Sequence, residues 1–253
     1  MRMKDKVVIV TGAASGIGET TAQVFAEQGG KVVVADIDAK GGEKNVATIK
    51  SKGGQAIFVQ ADISKEADTK RVVEEAVKAF GAVHILVNNA ATFVLKGVEA
   101  TVEDWNRSLG VNIIGTAMMT RYAVAEIKKA GGGAIVILGS ISAFCAQPDF
   151  YAYSATKAAL VQMTRGMAMD FGPHNIRVNC VCPGTIITPA SDRHMAKIGL
   201  TLEQFNAQEG AKTFLGRAGI TREVANAILF LASDEASYIS GAYLMVDGGY
   251  AAI

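Results

Sequence analysis

A chain of 253 residues, half of them hydrophobic, can bury the core of one large α/β domain and is short for two. Its 25 lysines and arginines balance 24 aspartates and glutamates, a formal charge of +1, so it carries no electrostatic footprint for nucleic acid or an anionic membrane. Three cysteines without CxxC spacing and three scattered histidines (His84, His174, His194) argue against a disulfide framework and against a metal site, which leaves small-molecule chemistry as the expectation.

In chain order, "MRMKDKVVIV" sets basic residues before an apolar run. Asp5 sits among them and the run stops at Val10, so the segment reads as a first strand and not as a secretion signal. Further short apolar runs follow at 31–36, 55–60, 83–89, 133–140, 176–183 and 241–249. Continuous rather than alternating apolarity points to strands buried on both faces, as in a parallel sheet covered by helices. Between them lie stretches of helical period. "IGETTAQVFAEQGG" closes at Gly29, and "KEADTKRVVEEAVKAFG" puts residues 72, 73, 76, 77 and 80 on one stripe. Cys180 and Cys182 alternate within a run and are expected to share one face of a buried strand. The rhythm predicts a doubly wound sheet of seven parallel strands in a single domain, 1–253. It breaks only at about 185–220, where "SDRHMAKIG" and "TLEQFNAQEGAK" replace a simple crossover and predict a helical substrate lid at the carboxyl ends of the strands. No stretch has the length and apolarity of a transmembrane helix, and a soluble, cytoplasmic protein is expected.

"TGAASGIG" (11–18) joins the first strand to the first helix. Gly12, Gly16 and Gly18, with Ser15 and Ile17 between them, allow a sharp turn and close backbone approach to a pyrophosphate at a helix N-terminus. Asp36 ends the second strand, where a carboxylate accepts from ribose hydroxyls and repels a 2′-phosphate. No cation stands at Ile37 or Asp38, so NAD is the expected cofactor. Asp62 and Ile63, after the third strand, are candidates for the adenine edge.

"FYAYSATKAAL" holds two tyrosines near one lysine. Tyr153 and Lys157 are four apart and share a helix face, whereas Tyr151 points away. An ammonium beside a phenol lowers its pKa towards working pH, as a general base for an alcohol requires. Ser140, at the end of the fifth strand, is placed to meet the substrate oxygen, with Ser142 as its competitor.

These features, with "NNA" (88–90), "GVN" ending at Asn112, "YSATK" (153–157), "CPGTIITP" (182–189) and "VDGG" (246–249), closely resemble the short-chain dehydrogenase/reductase family over essentially the whole chain. The resemblance implies a Rossmann-type fold and hydride transfer between NAD and a secondary alcohol or ketone. It implies Tyr153 as acid/base, Lys157 as its partner and a ribose ligand, Ser140 as oxyanion contact and Asn112 as holder of a water in a proton relay. It further implies that Asn89, Ala90, Pro183 and Gly184 line the cofactor cleft, with Ile186 and Thr188 near the nicotinamide carboxamide. One departure stands out: Ala91 follows "NNA" where the family often has glycine, which bears on the loop carrying Phe93. Candidate substrate contacts are Phe93, Ser142, Phe144, Gln147, Phe150 and Arg193, with His194 and Met195 in the lid. The alternatives are a 3-oxoacyl-carrier-protein reductase and a non-catalytic dinucleotide-binding protein. Apolar character along 103–129, and apolar residues over more than one face of 154–171, with Leu160, Met163, Met167 and Phe171 in one stripe, exceed what a single sheet face can cover and suggest surface left over for subunit contacts. With the last strand, near Ala242 to Val246, as a second interface, a homotetramer is expected.

Overall fold

The computed structural model describes residues 1–252. The strands are β1 (Val7–Thr11), β2 (Lys31–Asp36), β3 (Gln55–Gln60), β4 (Ile85–Asn88), β5 (Gly133–Leu138), β6 (Ile176–Pro183), the two-residue β7 (Ile186–Ile187) and β8 (Gly219–Ile220), and β9 (Tyr243–Val246). The helices are α1 (Gly16–Glu27), α2 (Ala39–Ser51), α3 (Glu66–Phe80), α4 (Val102–Leu109), α5 (Thr116–Lys129), α6 (Tyr151–Phe171), α7 (Pro189–Ile198), α8 (Leu202–Gly210) and α9 (Thr221–Ala232). Seven strands pair in the order β3-β2-β1-β4-β5-β6-β9, all parallel. This is the expected Rossmann-like α/β fold with helices on both faces.

The apolar runs are continuous because alternate residues serve two cores. Val8, Val10, Val32, Val34 and Val136 face α1, α2 and α9 on one side. Ile9, Val33, Ile135 and Ile137 face α3, α5 and α6 on the other. The α3 stripe lies on this second core: Val72, Val73 and Ala76 are buried, with Val77 and Phe80 against them. Gly81, left-handed at φ 83°, ends that helix.

Strand order reverses between β1 and β4, and the loops leaving these two strands meet there; the carboxyl ends at such a reversal are where open α/β sheets bind their ligands. The segment after β6 forms α7 and α8 above that edge, and β7 and β8 pair as a short parallel ladder at its base. Among the described residues, no helix is long and apolar enough to cross a membrane.

Leu160 is buried in the second core, and the partly buried Met163, Met167 and Phe171 pack against it, so this stripe covers the chain's own sheet. The most exposed large apolar side chain of α6 is Met169, at 83%.

Between α4 and α5, residues Gly110–Gly115 form a wide π-helical turn. Such turns occur at functional sites because the extra residue displaces the side chains around it.

Candidate active site

The phosphate-loop segment is shaped by close backbone contact. Gly12 has φ 64°, and a Cβ there would lie 2.7 Å from the Ala90 Cα. Gly16 is also left-handed, at φ 60°. Asn89 holds the loop from below, donating to the Thr11 and Gly12 carbonyls at 2.9 and 3.0 Å. Thr11 Oγ1 accepts from the Asn89 and Ala90 N–H groups at 3.0 and 3.1 Å. Asn45, fully buried, donates to the Ala13 carbonyl at 2.8 Å. Thr11 and Asn45 were not foreseen. A polar residue inside a helical apolar pattern at 45, and a threonine entering the glycine turn at 11, were the available signals.

Above this frame α1 begins uncapped. The Ser15 side chain makes no cap hydrogen bond. Among the described residues, no acceptor is paired with the Gly16, Ile17 and Gly18 N–H groups. Free donors at the start of a 12-residue helix fit a pyrophosphate. Asp36 accepts from Ala14 N–H at 2.8 Å and Asp38 N–H at 2.9 Å, one per oxygen. A carboxylate has about four acceptor sites, so capacity remains for two ribose hydroxyls. These residues therefore fit a dinucleotide.

The other expected cofactor contacts are placed unevenly. Asp62 is engaged locally, accepting from Ser64 N–H and Oγ at 3.0 and 2.6 Å. Ile63 is 6% exposed and belongs to the second core, against Gly115. Pro183 is buried at the end of β6. Gly184 lies where a Cβ would meet the Asp247 Cα at 2.9 Å. Ile186 is buried in the first core. Thr188 caps α7, accepting from Ser191 N–H at 3.3 Å, and its methyl lies 3.7 Å from where a Gly16 Cβ would be, so the start of α7 meets the loop.

Ser140, Tyr153 and Lys157 converge beyond the end of β5. Tyr153 is 6% exposed and Lys157 2%, while Tyr151 is 46% exposed against Trp105. Lys157 Nζ donates to the Leu138 carbonyl at 2.7 Å and stands 5.5 Å from the Tyr153 ring centroid. Asn112 Nδ2 donates to Thr156 Oγ1 at 3.0 Å, and Thr156 Oγ1 donates to the Tyr153 carbonyl at 2.7 Å. Asn112 also grips Thr92, accepting its N–H at 2.8 Å and donating to its carbonyl at 3.1 Å. This clamp fixes the loop that carries Ala91 and Phe93. Thr92 and Thr156 have no signal in the sequence beyond their neighbours.

Electrostatics correct the expected tyrosine. Burial drives the Tyr153 phenol well above its ordinary value, only partly opposed by a hydrogen bond with Ser140, so the phenol is held protonated. Burial also pushes the Lys157 ammonium down to about 8, with the nearby Cys180 and Cys182 acting the other way. The two thiols lie 3.7 Å apart on one buried face of β6, as expected. Folded chain thus releases the Lys157 proton near pH 8, while unfolded chain keeps it to about 10.4. The unfolded state binds more protons in that window, so stability from this residue rises with pH. We expect wild type to gain about 1–3 kcal/mol over Lys157→Met between pH 7.5 and 10.5, read from urea unfolding at each pH. A difference that shrinks as pH rises would contradict the lowered lysine.

Aromatic side chains wall the site. Phe93 stacks on the Tyr153 ring at 4.9 Å and 21°, and Phe150 meets it edge-on at 6.0 Å. Phe144 packs on Tyr243 at 4.8 Å. Gln147 accepts from Ser142 Oγ at 2.6 Å, and Ser142 in turn touches Ser140. Arg193 and His194 are exposed on α7, and no hydrogen bond ties either to this cluster; Met195 is buried. His84 is structural, its Nδ1 accepting from Val7 N–H at 3.0 Å. Among the described residues, no group of three His, Cys, Asp or Glu is placed to hold a metal ion.

A family model described as enoyl-(acyl carrier protein) reductase matches residues 12–251. The chain belongs to the short-chain dehydrogenase/reductase family and is an oxidoreductase of that family. It is 38% identical to a cyclopentanol dehydrogenase of Comamonas sp., with 99% of each chain covered. It is 37% identical to a cis-4-hydroxycyclohexanecarboxylate dehydrogenase of Sinomonas cyclohexanicum, with 98% of each covered. It is also 37% identical to an NAD-dependent glycerol dehydrogenase of Listeria innocua, with 97% of this chain and 94% of the relative covered.

Proposed function

We propose that this protein interconverts a secondary alcohol and a ketone with NAD(H). The observation that carries this reading is the buried grouping of Ser140, Tyr153 and Lys157 beside the uncapped start of α1. Bound NAD supplies the hydride chemistry. The loop from Gly12 to Gly18 holds its pyrophosphate, Asp36 its adenosine ribose, and Lys157 its other ribose.

Tyr153 Oη moves the hydroxyl proton. Held protonated by burial, it is ready to give that proton to a carbonyl oxygen; in the oxidative direction it first passes its own proton out to solvent, with the Lys157 ammonium offsetting the phenolate charge, and then takes the alcohol proton. Ser140 steadies the reacting oxygen, and Asn112 orders the relay behind Thr156. Phe93, Phe144 and Phe150 suit an apolar substrate body, in keeping with the cyclic alcohols named for two relatives. A 3-oxoacyl-carrier-protein reductase is the rival reading; the matching family model is described by a different carrier-protein reaction, that of an enoyl reductase, and so lends this rival only the carrier-protein substrate class. Asp36 opposes it, since those relatives usually take NADPH. For assembly we retain the homotetramer, with exposed Leu109 and Ile114 on one side and the β9 edge, Tyr243 and Leu244, on the other.

Turnover of cyclic, linear and polyhydric secondary alcohols with NAD tests the reaction; no oxidation of any would defeat it. For the cofactor, wild type is expected to use NAD with at least about tenfold higher kcat/KM than NADP, and Asp36→Ala to narrow that gap by removing the repulsion. Because Asp36 also holds Ala14 and Asp38, the variant should weaken NAD as well. Wild-type preference for NADP would refute the assignment.

A further inference from the structure

Beside Ser140 runs a short hydroxyl chain that the proposed chemistry leaves unused. Ser142 Oγ donates to Gln147 Oε1 at 2.6 Å, Ser140 Oγ donates to Ser142 Oγ at 3.1 Å, and Ser142 N–H donates back to Ser140 Oγ at 3.1 Å. Both serines are buried and Gln147 is half-buried.

Each hydroxyl has one proton to give. With Gln147 accepting at the far end, the Ser142 proton points to Gln147 and the Ser140 proton to Ser142. Ser140 then meets the reacting oxygen as an acceptor, which suits an alcohol O–H. With the amide turned so that Nε2 donates, the Ser142 proton loses its acceptor at Gln147 and swings to Ser140, which can then no longer donate back to Ser142. Ser140 must now donate into the cleft, which suits a carbonyl oxygen. An amide takes both roles by a half-turn about its last bond; a carboxylate takes only the first.

We propose that Gln147 is a positioning residue: acting through Ser142, it sets whether the Ser140 hydroxyl gives or receives the hydrogen bond at the reacting oxygen. This rests on the alcohol–ketone reading given under Proposed function. Gln147→Glu fixes Ser140 as an acceptor and so penalises ketone over alcohol. Gln147→Leu leaves the Ser142 proton free to turn to Ser140 and penalises alcohol instead.

The probes are cyclopentanone and cyclopentanol, bound to the full chain in dead-end complexes, ketone with NAD and alcohol with NADH, where no hydride can move. Gln147→Glu should weaken cyclopentanone about tenfold and cyclopentanol by less than about twofold, the scale of one neutral hydrogen bond. Gln147→Leu should weaken cyclopentanol about threefold and spare the ketone. In turnover, kcat/KM must fall equally in both directions because the reaction equilibrium is fixed. The Glu variant should therefore show a raised ketone KM at unchanged reductive kcat, and a lowered oxidative kcat at unchanged alcohol KM. In a Ser142→Ala chain, Gln147→Glu should lose its effect.

Equal weakening of both probes in both variants means plain structural damage and overturns the relay. An undiminished Gln147→Glu effect in the Ser142→Ala chain means direct substrate contact and also overturns it. Wild type that turns over alcohols, with no ketone-specific loss in the Glu variant, defeats the relay alone. Wild type that binds neither probe and oxidises no secondary alcohol defeats the proposed function and the relay together.

Discussion

Tyr153→Phe should lower kcat by about 10²–10⁴-fold, the range spanned by a positioned general acid or base, while leaving NADH affinity nearly intact. The phenol ring is gripped by Phe93 at 4.9 Å and Phe150 at 6.0 Å, so phenylalanine fits the same slot and only the hydroxyl is lost. Tyr151→Phe serves as its partner experiment. That ring is 46% exposed and leans on Trp105 at 5.9 Å, on a different side of α6. Loss of its hydroxyl should cost no more than about 1 kcal/mol, within tenfold in rate. Steady-state kinetics and NADH fluorescence titration check both. A dead Tyr151→Phe beside an active Tyr153→Phe would reverse the assignment.

Gly18→Ala should weaken NADH by about 10–100-fold and destabilise the chain by about 1–3 kcal/mol, the usual penalty of forcing a methyl into packed space. The added Cβ would press on the Gly12 carbonyl oxygen and on the Asn89 amide nitrogen that braces the loop. Neither is the loose end of a flexible side chain, so the loop must move. Gly166→Ala is the contrast: it lies exposed within α6 with nothing within 4 Å of the new Cβ. That change should stabilise by about 0.5–1 kcal/mol through helix propensity. Calorimetric Tm values and cofactor titration read both effects. Equal tolerance at the two positions would mean that the loop is softer than its contacts suggest.

Much of the fold was legible because burial on both faces leaves an unbroken apolar run, and each of the seven runs became a strand of the main sheet. The two-residue ladder of Ile186–Ile187 with Gly219–Ile220 was not, since so short a pairing leaves no periodicity. Helix spacing separated Tyr153 from Tyr151 correctly, because the geometry of four residues along a helix is local. The ionisation of Tyr153 differs from the expectation for the opposite reason: sequence names the lysine nearby but not the depth of burial, and desolvation outweighs the hydrogen bond with Ser140. Periodicity likewise marks the Leu160 stripe on α6 as a face without saying that the second core covers it. The sequence suggests Asp36 as a ribose ligand, but its grip on Ala14 and Asp38 depends on how the turn folds and has no signal there.

The wide turn at Gly110–Gly115 makes this stretch of chain a matter of length as well as composition. Removing one residue there would let ordinary α-helix form throughout, and α4 would rotate by about 100° relative to α5. Helix content would hardly change, yet Asn112 would no longer face Thr92 and Thr156 together. A change of side chain on the outer face, where Ile114 is half exposed, leaves the Asn112 clamp in place, whereas gaining or losing a residue does not.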